Sequence, residues 1–190
     1  MKQGKIIVIS APSGCGKSTI INSILDGGDI DMRFSVSATN RAPRTGEKDG
    51  VHYHFLSTAQ FQDAIAAGDF VEWEEVYPGR YYGTLTSEVE NTVNAGQNII
   101  LDIDIKGALN VKRHFGDRAV TIFILPPDID TLRRRLEARG TDDPEAITQR
   151  VSKAEYEISF AGQCDVRITN DDLATAVAET RQAITSFLAG

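Results

Sequence analysis

The sequence is short of the features that mark several large classes of protein. Its 2 cysteines, far apart in 190 residues, are too few for a disulfide scaffold. No stretch approaches the roughly 18 apolar residues of a membrane span, and the apolar run before Ala11 is too short for the core of a secretory signal. Positive charge is also scarce, because 20 Lys and Arg face 27 Asp and Glu. The resulting net charge of −7 argues against nucleic-acid and membrane-surface partners. From the lack of a span, a secretory signal and a disulfide scaffold, we expect a cytoplasmic protein.

What the chain does contain is typical of one folded domain. Apolar residues make up 41% and charged residues 25%, and the length fits a single domain of about 100–200 residues. The arginines are unevenly spread, with Arg41 and Arg44 in one group and Arg133, Arg134, Arg135 and Arg139 in another. Basic islands in an acidic chain indicate local anion sites.

Short apolar strands alternate with amphipathic helices along most of the chain. Buried strands are predicted at 6–9, 98–103, 119–125 and 166–168, and helices at 17–25, 128–138, 144–161 and about 173–187. This alternation predicts an α/β fold in which a central parallel sheet is flanked by helices. Residues 34–88 interrupt it with β-like pieces at 34–37, 52–56 and 70–76 and an amphipathic stretch at 58–67, which indicates an inserted lobe.

A phosphate loop is the strongest local signal. It follows the first buried strand, opens a helix, and reads Ala11-Pro12-Ser13-Gly14-Cys15-Gly16-Lys17-Ser18-Thr19. Gly14 and Gly16 permit close backbone approach, so amides can surround an anion at the positive helix end. Lys17 is expected to reach the β- and γ-phosphates of a nucleoside triphosphate, and the Ser18 hydroxyl to bind Mg²⁺. The alternative is a glycine-rich turn before a helix, which Gly-Lys-Ser-Thr after Ile-Ile-Val-Ile disfavours.

Two positions in this loop raise separate questions. Ala11 stands where the motif has glycine, but it adds only a methyl group. Cys15 could have a lowered thiol pKa at the helix end, or it could simply be a small residue in a tight loop.

A second anion site is indicated by Arg41 and Arg44, three residues apart in a loop marked by Pro43 and Gly46. Two planar guanidinium groups can converge on one phosphate with paired hydrogen bonds. The alternative is a solvated loop with incidental charge.

With its remaining motifs, the chain resembles the guanylate kinase family along nearly its whole length. Asn40 departs from the family's usual Thr and Thr84 from its frequent Ser, and both changes are small. The matching segments are Ser-Ala-Pro-Ser-Gly-x-Gly-Lys-Ser (10–18), Ser-Val-Ser with Arg-x-Pro-Arg-x-Gly-Glu (35–47), Asp-Gly-Val-His-Tyr-His-Phe (49–55), Tyr-Tyr-Gly-Thr (81–84), Leu-Asp-Ile-Asp-Ile-Lys-Gly (101–107), Arg-Leu-Glu-Ala-Arg-Gly (135–140) and Asn-Asp-Asp (170–172).

The resemblance implies a reversible phosphoryl transfer from ATP to GMP, and to dGMP as well, in purine nucleotide metabolism. It implies a core (1–33, 89–125 and 159–190), a GMP-binding lobe (34–88) and a helical lid (126–158). It assigns the GMP phosphate to Arg41, Arg44, Tyr53 and Tyr82, with Glu47 orienting the arginine loop, and guanine to Ser37, Glu72 and Thr84. It places Asn170 beside the ATP base, and near the transferring phosphate it places Arg135, Arg139 and Arg150.

Chemistry supports the guanine assignment. The Glu72 carboxylate can accept from guanine N1–H and N2–H together, and the hydroxyls of Ser37 and Thr84 can donate to O6. The alternative for Glu72 is a surface charge on an alternating strand. Asp102 ends an apolar strand and could organise Mg²⁺, whereas the resemblance places it close to bound guanine. Asp104 could act on the metal's water shell or at the sheet edge.

Two rival functions share this fold. Guanylate-kinase-like binding modules keep the fold and lose catalysis, but Lys17 and Ser18 argue against a degraded phosphate loop. A kinase for another small phosphate, such as a ribose phosphate, is disfavoured by Arg41, Arg44 and Glu72. We therefore expect ATP and GMP as substrates, Mg²⁺ as cofactor, and no nucleic-acid or membrane partner, and the sequence leaves open a homo-oligomer.

Overall fold

The computed structural model describes residues 3–140 and 142–190. In chain order its elements are β1 (Ile6–Ser10), α1 (Lys17–Asp26), β2 (Met32–Phe34), β3 (Ala38–Thr39), β4 (His54–Phe55), α2 (Thr58–Ala67), β5 (Phe70–Tyr77), β6 (Arg80–Leu85), α3 (Thr86–Asn94), β7 (Asn98–Asp102), α4 (Ile105–Phe115), β8 (Ala119–Leu125), α5 (Ile129–Arg139), α6 (Pro144–Ile158), β9 (Val166–Thr169) and α7 (Leu173–Ala189). Short 3₁₀ turns follow α4 and α6.

The core is a five-stranded parallel sheet in the order β2-β7-β1-β8-β9. Its central strand β1 is buried on both faces, as a parallel strand covered by helices must be. Ile7 and Ile9 pack into the apolar cluster that includes residues of α1, α5, α6 and α7. Ile6 and Val8 face the opposite cluster, which includes residues of α3 and α4. The predicted α/β fold with a central parallel sheet is confirmed.

A second sheet forms the inserted segment. Its four strands lie in the order β4-β3-β6-β5, with β6 antiparallel to both of its neighbours. Phe61 on α2 is fully buried and stacks on Phe70 and Tyr81, with ring centroids 4.4 Å and 5.5 Å away. These aromatic contacts attach the helix to the small sheet.

Several element boundaries differ from the sequence prediction. The prediction of a strand at 34–37 is wrong, because β2 ends at Phe34 and pairs with β7 in the core sheet. The helix expected to reach 161 ends at Ile158, and a 3₁₀ turn follows at Ala161–Gln163. Helices α3 and α4 and strand β6 were not predicted. Within the described residues, no helix is both long enough and apolar enough to cross a membrane.

The fold brings chemically active residues to one edge. All strands of the core sheet run in the same direction, so their carboxyl ends share one side, where ligands of open α/β sheets bind. The phosphate loop follows β1, Asp102 ends β7, and Asn170 follows β9. Asp102 is paired in register with Ile9, close to the start of the loop.

Candidate active site

A cleft of about 800 Å³ lies at this edge of the core sheet and extends to the second sheet. Its walls come from the phosphate loop, the small sheet and helices α5 and α6. Its lining residues are Ala11, Pro12, Ser13, Gly14, Gly16, Lys17, Ser18, Thr19, Ser37, Tyr53, Glu72, Glu74, Tyr82, Gly83, Asp102, Ile103, Asp104, Arg135, Arg139, Arg150, Lys153 and Glu157.

The phosphate loop has the backbone that the sequence requires. Gly14 and Gly16 have φ of 92° and 83°, in the left-handed region that favours glycine. A Cβ on Gly16 would lie 2.5 Å from the Asn170 amide nitrogen, so a side chain is also excluded by space. Helix α1 begins at Lys17, so the loop lies at a positive helix end.

Lys17 forms an ion pair with Asp102, with 2.5 Å between Nζ and Oδ1. Both side chains are partly exposed in the cleft, at 21% and 24%. The lysine is therefore accessible to an incoming phosphate, and the ion pair holds the Asp102 carboxylate next to the loop.

Oxygen donors suited to Mg²⁺ surround this pair. The Ser18 hydroxyl and the Asp102 and Asp104 carboxylates line the same cleft and are the hard ligands that Mg²⁺ prefers. Within the described residues, no group of three or more His, Cys, Asp or Glu could hold a metal by itself.

Cys15 does not have an activated thiol. It is fully buried, and burial raises its pKa to about 12 although the charge of Arg135 opposes this. The alternative of a lowered pKa was wrong, because desolvation of the thiolate outweighs the helix end and the nearby cations.

Asn170 connects the loop to the α5 arginines. Its buried side-chain amide donates to the Cys15 carbonyl at 2.8 Å, and its own carbonyl accepts from Arg135 at 2.9 Å. Arg150 on α6 donates to the Ser13 hydroxyl at 3.0 Å. Asn170 lies behind the loop rather than among the residues that line the cleft.

The arginines of α5 do not all face the cleft. Arg135 and Arg139, one helical turn apart, both line the cleft. Arg134 is exposed and donates to Thr131 of its own helix.

Arg41 is held by a dense set of partners. Its guanidinium donates to both carboxylate oxygens of Glu47 at 2.6 Å and lies 4.9 Å from the centre of the Tyr53 ring. The Glu47 hydrogen bond, with a smaller contribution from Tyr82, raises the pKa of Arg41. In turn Arg41 lowers the pKa of Glu47 to about 2. Glu47 also accepts from the Arg44 backbone N–H, so one carboxylate fixes the whole loop.

Glu72 lies in the cleft wall with 8% of its surface exposed. Burial raises its pKa to about 7, against the lowering effect of a hydrogen bond from Thr84. The fully buried Thr84 hydroxyl donates to this carboxylate at 2.5 Å, because the two residues are paired across β5 and β6.

The first turn of α4 packs against Glu72. Asp104 caps this helix by accepting from the Gly107 backbone N–H at 2.6 Å. A Cβ on Gly107 would lie 3.0 Å from both the Glu72 and the Asp104 carboxylates. A side chain at this position would require one of these carboxylates to shift by a few tenths of an ångström, where Glu72 approaches the positive end of the helix.

The cleft contains three charged residues that the sequence interpretation missed. Glu74 lies on β5, and Lys153 and Glu157 lie on α6. Glu74 follows Glu72 by two residues on the same strand face, which is a signal that could have identified it. Lys153 and Glu157 follow Arg150 at intervals of three and four residues on one face of α6, but they match no motif.

The remaining predicted residues are distributed unevenly. Ser37, Tyr53, Tyr82 and Asp102 line the cleft together with most of the phosphate loop. Cys15, Thr84 and Asn170 lie behind its wall, and Arg41, Arg44 and Glu47 stand in the neighbouring loop.

A phosphate loop, arginines of α5 and α6 and a buried carboxylate around one cleft at the edge of a parallel sheet define a phosphate-loop nucleotide kinase. A family model described as guanylate kinase matches residues 3–187. The guanylate kinase of Porphyromonas gingivalis is 53% identical over 97% of this chain and 98% of its own length. That of Salinibacter ruber is 53% identical over 99% of each chain. The crystal structure of guanylate kinase from Anaplasma phagocytophilum matches with a TM-score of 0.74 at 31% identity, over 98% of this chain and 87% of that one. The chain belongs to the guanylate kinase family.

Proposed function

We propose that the cleft holds ATP and GMP together, so that the chain, as a member of the guanylate kinase family, transfers a phosphoryl group from ATP to GMP and yields ADP and GDP. The observation that carries this proposal is the shared cleft. At one end it has the phosphate loop, and at the other it has Glu72, a buried carboxylate with a raised pKa.

ATP occupies the phosphate-loop end. The backbone of residues 11–19 surrounds the β- and γ-phosphates at the start of α1. Lys17 leaves Asp102 and follows the charge that develops between the β- and γ-phosphates. Asn170 supports the loop from behind through its hydrogen bond to the Cys15 carbonyl.

Mg²⁺ accompanies ATP, and when bound it supplies positive charge to the triphosphate oxygens. Ser18 would hold it directly, and Asp102 would act through water once Lys17 has turned away. Asp104 is committed to the Gly107 N–H, so it contributes mainly as a negative charge next to Glu72.

The GMP phosphate binds between the two sheets. Arg41 and Arg44 bind its oxygens, with hydroxyl donors from Tyr53 and Tyr82. Glu47 aligns Arg41 through two short hydrogen bonds and gives up part of this contact to the phosphate. Because the guanidinium is held in place before the substrate arrives, little side-chain entropy is lost on binding.

Guanine is read by Glu72. The ionised carboxylate accepts from N1–H and N2–H, and Ser37 donates to O6. Thr84 contributes by donating to Glu72, since in this structure its hydroxyl already faces that carboxylate. Asp102 lies closer to the phosphate loop, which favours a role with Lys17 and the metal.

Transfer itself needs no protein nucleophile. A GMP phosphate oxygen attacks the γ-phosphorus in line while Arg135, Arg139 and Arg150 stabilise charge on the transferring group. The lid and the GMP-binding lobe close over both nucleotides and exclude water, which would otherwise hydrolyse ATP. The core, lobe and lid boundaries, the use of dGMP, the cytoplasmic location and any homo-oligomer remain predictions.

A turnover screen tests this function. Purified protein with ATP and Mg²⁺ is offered GMP, dGMP, AMP and ribose phosphates, and ADP release is followed. We expect GMP to give the highest kcat/KM and AMP to be rejected by roughly 10⁴-fold. Preference for a ribose phosphate would assign another reaction to the same fold. No turnover at all, with the fold intact, would indicate a binding module.

A further inference from the structure

Helix α6 contacts both substrate-binding walls of the cleft. Near its middle, Arg150 donates to Ser13 of the phosphate loop at 3.0 Å. Three residues later, Lys153 forms an ion pair with Glu74 of β5, with 3.4 Å between Nζ and Oε1. Residues three apart lie on the same face of a helix, so one face of α6 bridges the ATP end and the GMP end.

The charges around Lys153 favour this bridge. Partial burial opposes its charge, but Glu74 and Glu157 raise its pKa, with a further contribution from Asp104. Glu157, one turn later, lies 3.8 Å away and is 12% exposed. Burial raises the pKa of Glu157, which Lys153 counteracts. Lys153 is thus the positive group between two carboxylates of different elements, and Glu74 is the nearer.

We propose that Lys153 is a positioning residue for GMP binding that acts through Glu74: their ion pair holds the lid helix α6 against the GMP-binding lobe, while Arg150 of the same helix contacts the phosphate loop. This inference rests on the proposed function. Both partners are partly exposed, Lys153 at 60% and Glu74 at 40%, so the pair can break and re-form as the cleft opens and closes. Its role is to favour the closed arrangement, in which the GMP site is complete.

A double-mutant cycle measures the coupling. Lys153→Met and Glu74→Gln each remove one charge, and kcat and KM for GMP are measured at saturating ATP and Mg²⁺. We expect each single variant to raise KM for GMP about threefold to fivefold, as for an exposed ion pair. The double variant should resemble the singles, because the same contact is lost only once. kcat should change less than twofold, because bound GMP and ATP restore closure through their own contacts.

Arg134→Met is the matched control. It removes one positive charge from the lid at an exposed residue that donates a hydrogen bond to Thr131 of the same helix. It should leave KM for GMP unchanged. If the fold-changes in KM for GMP of the two single variants multiply in the double variant, the proposal is overturned. An unchanged KM for GMP in the single variants, or an effect on kcat alone, would also overturn it. Coupling of Lys153 to Glu157→Gln alone would also overturn it, since the charge would then act only within α6.

A distance measurement tests the contact without turnover. Trp73 is the only tryptophan in the chain and lies beside Glu74 on β5. A fluorescent acceptor is attached to the cysteine of a Gln149→Cys variant on α6, in a Cys164→Ser background. Resonance energy transfer from Trp73 to this acceptor is measured, and samples without acceptor correct for changes in Trp73 emission. Cys15 stays unlabelled because it is buried.

In the ligand-free protein, Lys153→Met and Glu74→Gln should both lower the transfer efficiency, and Arg134→Met should not. Unchanged efficiency in both would contradict the bridge. If the wild type fails to phosphorylate GMP yet these efficiencies fall, the proposed function is wrong and the lid–lobe contact stands.

Discussion

The side-chain amide of Asn170 donates a 2.8 Å hydrogen bond to the backbone carbonyl of Cys15, in the middle of the phosphate loop. Asn170 is 5% exposed, and its own backbone carbonyl accepts from Arg135. One residue directly after β9 thus contacts both the phosphate loop and an arginine that lines the cleft.

Asn170→Ala should therefore damage both stability and the use of ATP. An unsatisfied buried carbonyl costs about 1–3 kcal/mol in the free energy of unfolding, or roughly 2–4 °C in Tm per kcal/mol at this chain length. We expect KM for ATP to rise about tenfold while KM for GMP changes less. Asn170→Asp should be worse, because a carboxylate would face the carbonyl. Thermal unfolding and steady-state kinetics measure these effects, and Asp171→Asn is the control at an exposed neighbour. An unchanged KM for ATP in Asn170→Ala would remove this residue from loop support.

Lys17→Met should leave the fold intact and reduce kcat by roughly 10²-fold or more, because the lysine stabilises charge that develops during transfer. The fold should survive because Lys17 is partly exposed and its ion-pair partner Asp102 is also accessible to water. Circular dichroism checks the fold, and a coupled assay of ADP release checks turnover. Near-normal turnover would contradict the assignment of this loop to ATP.

The raised pKa of Glu72, about 7, predicts that kcat/KM for GMP depends on pH near neutrality. Guanine donors need the ionised carboxylate, and kcat/KM reports ionisations of the free enzyme. kcat/KM for GMP should thus fall as the pH drops below about 7, and Glu72→Gln should lack this ionisation. Because the Thr84 hydrogen bond lowers the Glu72 pKa, Thr84→Val should move the midpoint to higher pH and Thr84→Ser should restore it. An unmoved midpoint in Thr84→Val would count against this contact.

The same ionisation affects stability. Glu72 binds its proton more tightly in the folded chain than in the unfolded one, where a pKa near 4.5 is expected. Its contribution to the free energy of unfolding is therefore present below about pH 4.5 and is lost as the pH rises through about 7. The Tm of the wild type should therefore fall relative to that of Glu72→Gln as the pH rises from about 4.5 to about 7.

The sequence predicted those parts of the fold that depend on local pattern. The β1 strand and the phosphate loop combine an apolar run with glycines that only one backbone accommodates. Helix α4 was missed although Asp104 and the apolar spacing of Ile105, Ala108 and Val111 marked it. The segment 101–107 carries both the carboxylates of Asp102 and Asp104 and the start of this helix, so a chemical motif and a helical period overlap there.

The rest depends on contacts between distant residues. Lys153 and Glu74 are 79 positions apart and match no motif, so only the packing of α6 against the cleft brings them together. The pKa of Cys15 depends on burial beneath Leu132 and Leu136, which a loop motif does not show. Phe34 joined the core sheet because β2 pairs with β7, a partner more than 60 residues away.

The central claim, that the cleft transfers phosphate to GMP and reads guanine through Glu72, is tested most directly by base choice. The measurement is kcat/KM for GMP and for AMP, at fixed ATP and Mg²⁺, in the wild type, Glu72→Gln and Arg41→Ala. An amide at position 72 accepts less well from guanine and can donate to an adenine ring nitrogen. We predict that Glu72→Gln loses most of its efficiency with GMP while its activity on AMP falls less or rises. Arg41→Ala should reduce both alike, because both substrates share the phosphate. A GMP:AMP ratio that stays at the wild-type value in Glu72→Gln would contradict the account.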